Sequence, residues 1–144
     1  MRIYFDNCSL NRPFDDQSQL RIRLETEAKL EVQARIRAST IELVWSYILD
    51  LENRANPFDE RREAISQWRH LAVVDVEECK DILSTARGVQ QTCGVRSKDA
   101  LHLACAIQTK CNYLLTTDDS LIARMKDHDR IRVVNPIAFI LTEG

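Results

Sequence analysis

Four carboxylates, Asp6, Glu42, Asp99 and Asp118, come from well-separated parts of a 144-residue chain, each beside a different apolar segment. Carboxylates gathered closely repel and raise one another's pKa, so a cluster of them is costly unless a cation joins it. Carboxylate oxygen and water are the donors Mg²⁺ or Mn²⁺ prefers, and Mg²⁺ keeps several waters and takes further oxygens from a substrate phosphate. An ion held in this way lowers the pKa of a bound water and steadies the charge on a phosphodiester undergoing in-line attack. The chemistry open to such a set is metal-assisted hydrolysis of phosphodiesters.

The neighbouring residues indicate how the four could meet. Arg2-Ile3-Tyr4-Phe5 reads as a short strand that stops at Asp6-Asn7, and Tyr113-Leu114-Leu115 as a buried strand ending in Thr116-Thr117-Asp118-Asp119. In an open parallel sheet the ligand crevice lies outside the carboxyl ends of the strands, so Asp6 and Asp118 point at that rim. Ser97 reads as the cap of a helix whose Ala100, Leu103, Ala104 and Ile107 face inward, which puts Asp99 in its first turn. Ser39-Thr40-Ile41-Glu42 reads as a capping box opening a helix with Ile41, Val44, Trp45, Ile48 and Leu49 on one face, giving Glu42 the comparable place.

The remaining elements supply the frame. Leu20, Leu24, Ala28 and Val32 fall four apart and predict a core-facing helix over residues 17–32, and a charged helix is expected over 59–69. Leu71 to Val74 and Ile131 to Val134 are apolar enough for buried strands, and Cys79, Ile82, Leu83 and Ala86 repeat the helical spacing before Gly88. Asn135-Pro136 predicts the start of a last helix, with Asn as cap and Pro at the first position. Apolar strands alternating with amphipathic helices imply an α/β fold with a central parallel sheet covered on both faces.

With three glycines, three prolines and no linker-like stretch, residues 1–144 read as one domain. The 44% apolar and 29% charged content is that of a globular protein. No apolar stretch is long enough for a membrane span, and the opening MRIYFDNCSLNRPFDD has an acid too early for a signal peptide, so a cytoplasmic location without membrane contact is expected. Five cysteines with no C-x-x-C pair suggest reduced thiols. A net charge of −2 excludes a strongly basic nucleic-acid footprint, leaving a local patch, drawn from Arg12, Arg35, Arg37, Arg96 and Lys98, together with bound cations.

Each acid also has an ordinary explanation. A capping box accounts for Glu42, the helix dipole for Asp99, and a turn or cap for Asp118 or Asp119. His102, one helical turn after Asp99, reads as a structural histidine, Cys8 as packing, and Trp45 and Trp68 as core or interface. None of these accounts for all four acids at the ends of elements.

Asp6-Asn7 after its strand, Ser39-x-x-Glu42, the segment Lys98-Asp99-Ala100-Leu101-His102-Leu103-Ala104-Cys105-Ala106, and Leu114-Leu115-Thr116-Thr117-Asp118 occur in the order found in the PIN-domain ribonuclease family. Over nearly its whole length the chain resembles that family, including its toxin-like, VapC-type members. The resemblance implies a three-layer α/β/α fold, Mg²⁺ or Mn²⁺ held by Asp6, Glu42, Asp99 and Asp118 directly or through water, and endoribonuclease activity on single-stranded RNA. It assigns support to Ser39 and Thr116, with Asn7 and Asp119 beside the acids, and implies a small antitoxin protein as partner. A homodimer is also expected, because Leu20, Ile22, Leu24, Leu30 and Val32 spread around more of the first long helix than one core-facing stripe requires.

Two departures stand out. A hydroxyl residue often follows the first Asp, and here only Ser9 could supply one; Asp118 is preferred to Asp119 because it stands two residues after Thr116. A haloacid-dehalogenase-type phosphatase would need an acid where Cys8 stands, and a receiver domain would need adjacent acids where Asn7 stands. The rival readings that remain are a catalytically silent PIN-fold scaffold binding RNA or protein, and a nuclease acting on DNA or structured nucleic acid.

Overall fold

Residues 1–144 are described by a computed structural model. Its centre is strand β1 (Arg2–Phe5), whose Ile3, Tyr4 and Phe5 are almost wholly buried. β4 (Tyr113–Leu115) lies on one side of it and β2 (Glu42–Ser46) on the other; β3 (Ala72–Val76) and β5 (Arg132–Val134) are the edges, giving the order β3-β2-β1-β4-β5. All four pairings are parallel. Short, continuously apolar strands suit such a sheet, because helices cover both faces and no strand needs a polar side.

The helices are α1 (Asn7–Asn11), α2 (Leu20–Arg37), α3 (Tyr47–Arg54), α4 (Asp59–Gln67), α5 (Lys80–Cys93), α6 (Ser97–Gln108), α7 (Asp119–Arg124) and α8 (Pro136–Glu143). Alternate side chains of a strand point to opposite faces. Tyr4 turns to α6, where it meets His102, and Phe5 turns to α2, where it lies beneath Lys29. Tyr113, paired in register with Ile3, packs edge-on against Phe139 of α8 at 4.9 Å, so α8 shares the α2 face. The result is a three-layer α/β/α sandwich around one continuous apolar core. No helix of the chain is long and apolar enough to cross a membrane.

Three local expectations are corrected. The segment from Ser39 does not open a helix: Ser39 is in the left-handed region (φ 60°), and Glu42 starts strand β2 opposite Arg2. A short apolar run satisfies both the helical and the strand period, and here pairing with β1 and β3 decides, burying Leu43, Val44 and Trp45. The helix comes one element later, capped by Ser46, whose Oγ accepts the Leu49 N–H at 3.2 Å.

In α2 the expected stripe of Leu20, Leu24, Ala28 and Val32 splits: Leu20 and Leu24 face outward, Ala28 is half-buried, and only Val32 reaches the core. Leu20, Leu24 and Leu30 are 59%, 43% and 48% exposed, whereas Glu25, Thr26, Lys29, Val32, Gln33 and Ile36 are buried. The inner face is mostly polar because partners remote in sequence reach it: Arg12 and Arg21 approach Glu25 at 3.2 and 3.4 Å, and Asn135 also donates to it. The third correction is smaller. Ser97 is the first residue of α6, and Arg96 holds the cap position without a side-chain bond. Helix α5 passes through Gly88 and ends at Gly94, where φ 69° suits a residue without Cβ.

Candidate active site

Asp6 leaves β1 and immediately caps α1. Its Oδ1 accepts the Ser9 N–H at 3.0 Å, its Oδ2 accepts the Thr116 hydroxyl at 2.5 Å, and the Cys8 thiol lies 3.1 Å from both oxygens. Only 5% of Asp6 is exposed. Burial pushes its pKa up, and the donors from Thr116, Cys8 and Ser9 pull it back part of the way. Burial and the neighbouring carboxylate push the Cys8 thiol up to about 12, which makes Cys8 a neutral donor to Asp6 and not a nucleophile. Ser9 does not offer its hydroxyl to the site, since Oγ donates to the Leu115 carbonyl at 2.9 Å and ties α1 to β4.

Thr116 follows β4 and is fully buried. Besides donating to Asp6, its Oγ1 accepts the Asp118 N–H at 3.1 Å, so one hydroxyl fixes two acids. Asp118 caps α7 with Oδ1, which takes the N–H groups of Ser120 and Leu121 at 2.9 and 3.3 Å, and its Oδ2 stands 3.3 Å from Arg96 Nη2. Asp99 lies in the first turn of α6, its Oδ2 3.4 Å from Arg96 Nε. The exposed Arg96 guanidinium thus spans Asp99 and Asp118 at the place where two carboxylates need a positive charge.

Glu52, on α3, joins them, and sequence reasoning missed it. One cleft of about 370 Å³ is lined by Asp6, Glu52, Asp99 and Asp118, with His102, Arg12 and Arg96 on its walls. The buried His102 presents Nε2 to Glu52 in a short hydrogen bond. The one local sign is Ser46, which ends a strand and caps a helix with Glu52 farther along it, but that sign is readable only once residues 42–46 are recognised as a strand.

Glu42, by contrast, is placed at the other end of the sheet. It begins β2, pairs with Arg2 at 3.4 Å, and is separated from the rim by the length of the strand, about 13 Å at 3.3 Å per residue. A site shared with Asp6 is closed to it. Ser39 is remote for the same reason. Asp119 turns away as well, gripped by Arg21 at 2.7 and 2.8 Å, which lowers its pKa. Asn7 lines the cleft, and its backbone and side-chain oxygens accept from Asn11 at 3.0 and 3.1 Å.

The segment Asn11 to Asp16, silent in the sequence, has a structural role here. It forms a tight turn that delivers Arg12 to the cleft, backed by Asp15 at 3.1 Å and the fully buried Glu25 at 3.2 Å. The donor set is all-oxygen and hard, as Mg²⁺ or Mn²⁺ requires. No three of these acids stand close enough together to hold one ion by direct contact.

The family model described as "PIN domain" matches residues 3–127. Solved structures agree in fold. The chain aligns with FitAcB from Neisseria gonorrhoeae at 13% identity and a TM-score of 0.61, covering 93% of this chain and 97% of that one. VapBC-1 from nontypeable Haemophilus influenzae gives 15% identity and 0.57, with 94% and 98% covered. VapBC2 from Rickettsia felis, bound to a DNA fragment from its promoter, gives 11% and 0.59, again over 94% and 98%. No curated protein sequence matches the chain significantly. The family match over most of the chain, together with the sheet order and the acids at its carboxyl rim, shows that this protein belongs to the PIN-domain family, whose members are generally nucleases.

Proposed function

We propose that the chain is a Mg²⁺- or Mn²⁺-dependent endoribonuclease that hydrolyses phosphodiester bonds of single-stranded RNA, acting as the toxin of a toxin–antitoxin pair in the cytoplasm. The observation that carries this reading is the meeting of Asp6, Glu52, Asp99 and Asp118 in one cleft at the carboxyl rim of a parallel sheet. Asp6, Asp99 and Asp118 keep the ligand roles proposed from the sequence; Glu52 replaces Glu42 as the fourth.

Bound among these acids, the ion would supply a water of lowered pKa and neutralise charge building on the phosphate. The protein's part is positioning. Thr116, Cys8 and the Ser9 amide hold Asp6 in one rotamer, and the α7 cap leaves Asp118 a single oxygen facing the cleft. Asp15 and Glu25 lie behind Arg12 and neutralise it in place, and Arg96 can exchange its carboxylates for a phosphate oxygen once an ion neutralises them. Cleavage of end-labelled RNA, unstructured and hairpin, beside DNA of the same sequence, with Mg²⁺ or with chelator, tests the reading. Mg²⁺-dependent cutting of the unstructured RNA is expected; binding without cutting of any substrate would instead mark a silent scaffold.

The partners proposed are a second copy of the chain and a small antitoxin. The support is the outward apolar face of α2, formed by Leu20, Leu24 and Leu30. Light scattering should give a dimer that Leu20→Glu/Leu24→Glu converts to monomer, and a monomeric parent would remove the dimer from the account.

A further inference from the structure

Tyr4, Ser46 and His102 are all but fully buried, at 0%, 0% and 2% exposure, in an otherwise apolar region between β1, β2 and α6. Polar groups are costly there unless every one is satisfied. Tyr4 Oη lies 2.6 Å from Ser46 Oγ and 2.5 Å from His102 Nδ1, and His102 Nε2 reaches Glu52. The row therefore runs from the core to the acid that the proposed function takes as a metal ligand.

Hydrogen counting restricts how the row can be arranged. An ionised Glu52 only accepts, so Nε2 must carry a hydrogen. If the ring is neutral, Nδ1 is bare and takes the Tyr4 hydroxyl hydrogen, while Ser46 donates to Tyr4 and accepts the Leu49 N–H at 3.2 Å. If the ring is protonated, Nδ1 donates to Tyr4, which turns its own hydrogen to Ser46. The neutral arrangement satisfies every atom, the protonated one leaves the Ser46 hydroxyl hydrogen without an acceptor in the row, and in both Nε2–H points at Glu52.

We propose that Ser46, Tyr4 and His102 form a hydrogen-bonded brace whose end, His102 Nε2–H, fixes one oxygen of Glu52 and leaves the other aimed into the acidic cleft. His102 is then a positioning residue, not a catalytic one. Glutamate on a short helix has several rotamers, and a ligand that must be ordered on binding binds more weakly. Hydrogen bonds to ligating carboxylates typically govern metal affinity by 10–100-fold. The brace also explains why a strand residue, Tyr4, carries a hydroxyl in the middle of the sheet, since packing alone would be served by Phe.

The inference rests on the reading of Glu52 as a ligand, and the test separates the two. Mn²⁺ alone is titrated calorimetrically into the full chain and into Tyr4→Phe, His102→Leu, His102→Gln and Glu52→Gln, with thermal melts as a folding control. His102→Leu should weaken Mn²⁺ by about tenfold or more, and His102→Gln, whose amide can still donate, should recover most of the loss. Tyr4→Phe, which keeps the ring but frees it, should weaken binding by a smaller factor. Wild-type affinity in folded His102→Leu and in Tyr4→Phe, with Glu52→Gln weakened, would overturn the brace and keep the ligand. Unchanged affinity in Glu52→Gln would overturn both. If His102→Leu fails to fold, Tyr4→Phe decides. Nitrogen-15 spectra of the imidazole in the metal-free protein give a second readout: Nε2 must be protonated, and a ring protonated only at Nδ1 contradicts the proposal.

Discussion

Thr116 Oγ1 donates to Asp6 Oδ2 at 2.5 Å, joining the carboxyl ends of the two central strands. Without the hydroxyl, a buried carboxylate would lose a donor and the Asp118 amide an acceptor. Thr116→Val, close to isosteric, should therefore cost about 1–3 kcal/mol of stability, the usual range for a buried polar group left unpaired. Urea denaturation measures it. Thr116→Ser should restore most of the stability, and a neutral Thr116→Val would show that the bond does not hold Asp6.

The placement of the fourth acid gives a paired test. Glu52→Gln should lower Mg²⁺-dependent cleavage by two orders of magnitude or more, about 3 kcal/mol of transition-state stabilisation. Glu42→Gln should leave it within a factor of about two, because Glu42 only forms an exposed pair with Arg2, an interaction of roughly 0–1 kcal/mol. The reverse order of effects would return the role to Glu42.

Asp118 and Asp119 separate in the same way. Asp118→Asn should abolish most activity, whereas Asp119→Asn, which loses only the exposed contact to Arg21, should leave activity near the parent level. Relative kcat/KM on one RNA substrate decides. Equal losses would mean that the Arg21–Asp119 pair shapes the site.

Lys29 provides the pH prediction. It is 3% exposed, faces the Phe5 and Trp68 rings at 5.8 and 5.7 Å, and has the Gln33 carboxamide oxygen as acceptor. Burial, with Arg37 nearby, brings its pKa from the ordinary 10.5 down to about 7. Between those two values the unfolded chain binds more protons than the folded one, so this residue's contribution to stability rises with pH across that window. Lys29→Met should accordingly stabilise the protein more at pH 6 than at pH 10. Denaturation of both proteins at the two pH values checks the sign, and a gain that grows with pH would refute the buried-amine account.

How far the sequence is legible depends on where the partners of each residue lie. Asp6, Asp99 and Asp118 are readable because strand end, turn residue and helix start are consecutive in the chain. Glu42 was misplaced because a capping box is a local pattern that the short apolar run Leu43-Val44-Trp45 can contradict only through its neighbours in the sheet. Glu52 gives little local sign, since the group that holds it, His102, comes fifty positions later on another helix. The inner face of α2 misleads periodicity for the same reason: Glu25 is buried only because Arg12, Arg21 and Asn135 converge on it.

The most direct test of the account is the anomalous scattering of crystals grown with Mn²⁺. A peak is expected within reach of Asp6, Glu52, Asp99 and Asp118, at about 2.0–2.6 Å from those oxygens that bind without an intervening water, with the Arg96 guanidinium moved off Asp99 and Asp118. A peak at Glu42, or none in this cleft at saturating Mn²⁺, would contradict the assignment of these four residues as the metal site.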